Sequence, residues 1–368
     1  MIYSTYETLR SAGRAHWTGR TWLVSHFKDV EEALAHDHLT AKRVDRLFSH
    51  LFESRPLPAG VQELAGHLKN WTFFSDPKEL KVDRKLIWEI LGPGKFTDLP
   101  QTLAGFLEFK NDDLLQSISK PVRRKVLAVM FEVSEARAAE ICDLSDSIFD
   151  LITASSASME LVDRATIAVR KLIPLIETAG VMRSALVQSA NGAAVVSQLM
   201  LLAVVSVFID KAIANVLQVL LVEPKRWAAL RAQPESIDLF VVEALRLESP
   251  TQITSRVVAK DFEFAGETML QGQSVSLLIG SANRDERVFS LAGSFDPFRP
   301  TNRTLTFGLG GKRCPGEWLT STVVKSVLLD FLNTNLGQKV DASNAGALTF
   351  RWTTNQESRR LDQLLLQL

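Results

Sequence analysis

The chain is poor in the residues that carry the commonest covalent and metal chemistry. It has 2 cysteines in 368 residues, Cys142 and Cys314, too few for a disulfide framework and in keeping with a reducing interior. Its 6 histidines all lie between His16 and His67, so no imidazole comes from anything after residue 67. That excludes Ser-His-Asp and Cys-His catalysis, and histidine-based zinc sites, from most of the chain. The 2 tyrosines, Tyr3 and Tyr6, stand at the start, so no tyrosine offers a phenol deep in a pocket. Charge of one sign is also missing: 42 basic residues balance 42 acidic ones. Nothing here attracts nucleic acid or an anionic membrane in bulk. Repeats, low-complexity tracts and long Gly/Ser or Pro linkers are absent. The opening MIYSTYETLRSAGRAHW lacks the apolar core of a signal peptide, and a cytoplasmic protein is expected.

What is present is apolar residues at 46% and charged residues at 23%, values of an ordinary globular chain. Residues 184–209 carry no charge, a length that raises a membrane-spanning reading. Ser, Gln, Asn and Gly near its start, and Asp210-Lys211 directly after it, favour a buried core helix and no membrane. From about residue 76 to 247 apolar residues recur at three- and four-residue spacing, which predicts helices almost throughout. Strand patterns come early, in TWLVS at 21–25, and return after Pro250, with Gly266 and Gly272 as turn signals. The expected fold is mainly α with small β-sheets, one domain over 1–368.

The stretch FGLGGKRCPG at 307–316 concentrates the chemistry. Glycines at 308, 310 and 311 let the backbone pass close to a flat or bulky group. Lys312, Arg313 and the positive end of the helix that follows all favour thiolate at Cys314. Such a thiolate is a metal or cofactor ligand or a nucleophile. The plain alternative is a helix-capping turn holding an incidental cysteine.

The spacing of Phe307, Gly310, Lys312, Cys314 and Gly316 resembles the haem-ligand signature of the cytochrome P450 superfamily. Glu243-Ala-Leu-Arg246 looks like that family's E-x-x-R, and FDPFRP supplies its partner Arg299. The run from RVVAKDFEF to ANRDERVF, the segment DPKELKVDRKLI and the opening GRTWLVSHFKDVEEALAHD are similar to family stretches too. The resemblance covers nearly the whole chain, which is somewhat short for the family. It implies a P450-like fold with haem b buried between a central core helix and the cysteine loop with its helix. Cys314 would be the proximal iron ligand, Phe307, Gly310 and Gly316 part of the loop against the porphyrin, and Arg84, Arg256 and Lys312 the propionate cations. Glu243, Arg246 and Arg299 would form a buried charged network beneath the haem.

The chain departs from the family at Lys312, where Arg or His is usual, and at Leu80, where a propionate histidine is common. The larger departure lies in the oxygen-binding groove, aligned with residues 204–209. Its glycine is Val205, its acid Val207 and its threonine Phe208, so the usual acid–alcohol proton relay is missing. Ser206 and Asp210, at i and i+4, are candidates for a displaced pair. Otherwise Ser206 bonds a backbone carbonyl and Asp210 faces solvent or a cation.

Three activities follow. One is a monooxygenase of a small or hydrophobic, secondary-metabolic substrate with a non-standard relay. Another is a peroxide-driven or non-oxygenating haem-thiolate enzyme catalysing rearrangement, dehydration or coupling. KRCPGEWLT resembles the fatty-acid peroxygenase branch, although the groove lacks that branch's Arg-Pro pair. The third is a catalytically silent binding module. A ferredoxin or flavodoxin-type redox partner would dock on a basic face of Lys78, Lys81, Lys85, Lys312, Arg313 and Lys325, which is otherwise a solvated face. Residues 60–71 are expected to form a mobile substrate loop.

Overall fold

The computed structural model describes residues 2–53, 55–76, 79, 81–104, 113–154, 156–189, 191–301, 303–333, 348–352 and 361–366; the side chains of 81–84 and 188 lie outside that description. The chain opens with α1 (Ile2–Ala12), β1 (Ala15–Trp17), β2 (Thr21–Val24) and α2 (Phe27–Ala35). There follow β3 (Leu39–Thr40), α3 (Val44–Phe52), α4 (Ala59–Lys69), α5 (Lys81–Leu91) and α6 (Leu99–Leu103). The helical middle runs through α7 (Lys120–Phe131), α8 (Glu135–Ile152), α9 (Met159–Glu177), α10 (Val181–Gln188) and α11 (Gly192–Val205). It continues in α12 (Val207–Leu221), α13 (Pro224–Ala232) and α14 (Ile237–Leu247). After it come β4 (Thr254–Val258), β5 (Phe262–Phe264), β6 (Glu267–Met269), β7 (Ser274–Leu277), α15 (Ile279–Ala282), α16 (Glu317–Asn333), β8 (Leu348–Trp352) and β9 (Leu361–Leu366). The mainly-α expectation with small sheets holds.

The chain divides into two compact units. The first comprises Met1–Leu39, Asp98–Pro121 and Phe208–Leu368. Its main sheet has the order β1-β2-β7-β4-β3, with β2 and β7 parallel, β1 antiparallel to β2 and β4 antiparallel to β7. Val24, Phe27, Val275, Leu277, Phe289 and Leu305 pack into one core there, and Leu309 leans against it. That packing matters for the site, because Leu305 and Leu309 flank the start of the glycine loop. Polar side chains line one face of the buried α12: Lys211, Asn215 and Gln218 are 2%, 0% and 7% exposed.

The second unit, Thr40–Thr97 with Val122–Val207, is helical. α8 packs on α9, and α11 on both. Ser134 and Ser158 cap α8 and α9 by accepting the N–H groups of Arg137 and Leu161. α11 is buried on every side from Val195 to Val204, which suits its uncharged sequence. The continuous stretch Gly192–Leu221 is long and apolar enough to cross a membrane, and 72% of its most apolar window is buried inside the protein. The single uncharged helix expected over 184–209 is instead α10, α11 and the start of α12, with a turn at Ser206. Ser206 Oγ donates to the Ala203 carbonyl at 2.6 Å, a back-bond that competes with helical bonding and bends helices. The loop expected over 60–71 is largely α4. Leu64, Leu68 and Trp71 are each 0% exposed, so this stretch buries an apolar face rather than lying open.

Candidate functional site

The charged network is the best-defined polar feature of the first unit. Glu243 and Arg246 stand one turn apart on α14 and meet as a fork, Nε to Oε2 at 2.7 Å and Nη2 to Oε1 at 2.8 Å. Arg299 brings a second guanidinium onto the same carboxylate, Nε at 3.1 Å and Nη2 at 3.0 Å from Oε1. The remaining donors meet backbone. Arg246 reaches the carbonyls of Asn283, Ala292 and Ser294, and Arg299 those of Ser290 and Ser294. Asp296 N–H completes Glu243 Oε1 at 2.9 Å. All three side chains are buried, and burial pulls the Arg246 guanidinium below the ordinary arginine range against the opposing pull of Glu243. One carboxylate thus gathers two cations and the irregular chain of residues 283–299 around α14.

Asn283 and Thr306 extend that order to the cysteine loop. Asn283 Oδ1 accepts the Leu305 N–H at 2.8 Å, and its Nδ2 donates to Thr306 Oγ1 at 3.0 Å. Thr306 then donates to the carbonyl of Leu245 at 2.9 Å. Sequence reasoning missed both residues. Asn283 stands inside the quoted ANRDERVF run, but nothing local marks its amide as a tie to residues 304–306.

The loop itself turns tightly. Cys314 N–H donates to the Phe307 carbonyl at 2.8 Å, closing a bulge whose interior is residues 308–313. Gly308 and Gly310 hold φ of +70° and +58°, the left-handed region that disfavours any side chain. No atom lies within 4 Å of where a Cβ on Gly310 would stand, so the backbone there has one open face. Cys314 is an exposed thiol, and α16 starts three residues later with its Thr320 N–H on the Gly316 carbonyl at 2.9 Å. Among the described residues no cluster of three His, Cys, Asp or Glu side chains is placed to hold a metal ion. A soft cysteine sulfur beside a glycine backbone with an open face fits a haem iron. Cys142 is a different kind of thiol: burial pushes its pKa up to about 11, which keeps it protonated and inert.

The candidate propionate cations differ in what the structure says of them. Arg256, on β4, is buried, and its Nη1 donates to Thr254 Oγ1 at 3.2 Å and the Ser255 carbonyl at 2.9 Å. Lys312 is half-buried in the single 3-10 turn of the loop. Arg84 falls on α5, with its side chain outside the described residues. On the basic face, Lys78 and the side chain of Lys81 are also outside them. Three of the other cations face carboxylates of their own unit: Arg313 with Glu317 at 2.6 Å, Lys325 with Asp238 at 2.8 Å and Lys85 with Glu89 at 4.0 Å.

In the aligned groove, Val204 and Val207 are buried, Val205 and Phe208 half-buried. The Lys211 ammonium stands 5.3 Å from the Phe208 ring centroid. Ser206 accepts from Arg123 Nε at 2.9 Å while giving its proton to Ala203, and among the described residues no hydrogen bond joins it to Asp210. Asp210 is 9% exposed.

Residues 225–334 match the family model described as Cytochrome P450. A protein of Bacillus subtilis (strain 168) named Biotin biosynthesis cytochrome P450 is 36% identical over 152 residues, 41% of this chain, and the match spans only 37% of that protein's length. Another from the same organism, named Cytochrome P450, is 25% identical over 98% of this chain and 93% of its own. Among solved structures, P450BioI in complex with an acyl carrier protein carrying hexadec-9Z-enoic acid superposes with a TM-score of 0.85 at 22% identity, covering 100% of this chain and 98% of that one.

Proposed function

This chain belongs to the cytochrome P450 superfamily, and from that premise we propose that it is a haem-thiolate monooxygenase of a small or hydrophobic substrate. The observation that carries the reading is the exposed Cys314 on its two positive-φ glycines, tied through Thr306 and Asn283 to the Glu243–Arg246–Arg299 network. Haem b, when bound, would supply the redox iron, with Cys314 as the thiolate ligand that favours O–O cleavage. Lys312 and Arg256 would face its propionates, together with Arg84, while Phe307, Gly310 and Gly316 shape the loop beneath it. The protein's own task on the distal side is to exclude water and hold a proton. Val204, Val205, Val207 and Phe208 make that wall apolar, and Ser206 and Asp210 are the groups proposed to handle protons there. Electrons would come from a ferredoxin or flavodoxin-type partner. The ion pairs of Arg313 and Lys325 lessen the net charge of the proposed basic face. A cytoplasmic setting is part of the same proposal.

The test is the absorption spectrum of the purified protein, ferric and then reduced under carbon monoxide, beside Cys314→Ser. A red-shifted Soret band lost in the variant is expected. A wild-type protein that takes up no haem would sink the reading in favour of a binding module.

A second reading has its own observation. Val207 and Phe208 replace the acid and alcohol, and the Ser206 hydroxyl already serves Ala203 and Arg123. A peroxide-driven or non-oxygenating enzyme needs no such relay. Product formation with peroxide and no reductase would favour it.

A further inference from the structure

One charged side chain of the second unit reaches the otherwise uncharged α11. Arg123, on α7, is 2% exposed. Its Nε donates to Ser206 Oγ at 2.9 Å, its Nη1 to Asp146 Oδ1 at 2.6 Å, and its Nη2 points to the Cys142 carbonyl at 3.5 Å. Asp146, on α8, is the charge partner and remains 32% exposed. The ion pair by itself answers the need to compensate a buried cation. The bond from Nε to a neutral hydroxyl adds something else: a fixed donor on the one alcohol of the aligned groove.

That bond has chemical consequences. A serine hydroxyl has one proton and two lone pairs. Here the proton goes to Ala203, one lone pair takes the guanidinium N–H, and one lone pair is left. We propose that Arg123 is a positioning residue, which orients the Ser206 hydroxyl so that its remaining lone pair receives a hydrogen bond from a water or a substrate hydroxyl. The proposal rests on the reading of residues 204–209 as the distal groove and gives that groove a specific polar element. A residue that merely staples α7 to α8 would need only Asp146.

The experiment uses the haem-loaded protein with Arg123→Met, Arg123→Lys and Ser206→Ala, and the Met/Ala double variant. Its two readouts are the ferric absorption spectrum, which reports the distal water through the spin-state balance, and urea unfolding. Arg123→Met and Ser206→Ala should shift the ferric spectrum in the same sense, and the double variant no further than the larger single change. Their coupling in the unfolding equilibrium should be about tenfold. Arg123→Lys keeps the charge for Asp146 but loses the directed Nε donor, so it should recover stability and retain the spectral shift. Wild-type spectra in every Arg123 variant, or a lysine that restores both readouts, would reduce Arg123 to a staple and overturn the proposal. If the methionine variant does not fold, Arg123→Lys and Ser206→Ala give the same comparison. Failure of the underlying reading looks different: the wild type then has no Soret band at all. Coupling below about twofold in the unloaded chain overturns the Arg123–Ser206 link whatever the haem does.

Discussion

Thr306 gives its hydroxyl proton to the carbonyl of Leu245, at 2.9 Å, one residue before Arg246. The loop that presents Cys314 is thereby moored to the helix that carries Glu243 and Arg246. The thiol is positioned from both sides. Downstream, residues 314–316 lead directly into α16; upstream, Thr306 and Asn283 fix where the loop begins.

Thr306→Val removes the hydroxyl and leaves the Leu245 carbonyl and the Asn283 amide each short of a partner. A loss of about 1–3 kcal/mol in urea unfolding is expected. The thiolate Soret band should keep its position, because valine preserves the shape of the loop. A displaced band at unchanged stability would mean that the tie sets the ligand rather than the fold.

Glu243→Gln takes one charge from a carboxylate that serves two buried guanidinium groups, Arg246 and Arg299. The amide offers a single acceptor oxygen, so at least one arginine is stranded. The expected cost is about 3–5 kcal/mol, read by denaturant unfolding. Arg299→Lys should cost less, since the carboxylate keeps a counter-charge and loses only the planar fork.

The cysteine loop and the Glu243/Arg246 pair were legible because their meaning lies in local spacing. Arg299 was legible only through family resemblance, as 56 residues separate it from Glu243. Asn283, Thr306 and Arg123 were not legible at all. Their partners are backbone groups, hydroxyls and, for Arg123, the Asp146 carboxylate, as far as 83 residues away, and leave no periodic mark on the sequence. The turn at Ser206 hid for the opposite reason, a run so uniformly apolar that one serine hardly disturbs it. Residues 60–71, expected as a mobile substrate loop, contain Gly60 and Gly66 and follow two prolines, Pro56 and Pro58. The Val61, Leu64 and Leu68 spacing outweighs them once there is a core to pack on.

Burial holds His67 below its ordinary value of 6.5 on α4, with Glu63 pulling the other way and Ser197 Oγ 2.8 Å from Nδ1. His36 is lowered too, by burial and by His38. Below pH 6.5 the unfolded chain then binds more protons than the folded one. Stability is therefore full above about pH 6.5 and falls as the pH drops toward the folded values. Urea midpoints at pH 7.5 and 5.5 check this. The decline should be shallower in His67→Gln, and an equal decline would show that His67 is not its source.

Asp210 is the first carboxyl on α12 after the turn at Ser206, and it is 9% exposed. If it carries the proton that Val207 cannot, Asp210→Asn removes that proton and leaves the size of the side chain unchanged. Turnover with oxygen and a reductase should then fall by about 10²-fold, the usual contribution of a positioned acid. Peroxide-driven turnover should be spared, because peroxide arrives already carrying its protons. Equal losses with both oxidants would assign Asp210 to structure. No loss with either would leave the apolar groove without a proton donor of its own at this position and favour the peroxide-driven chemistry.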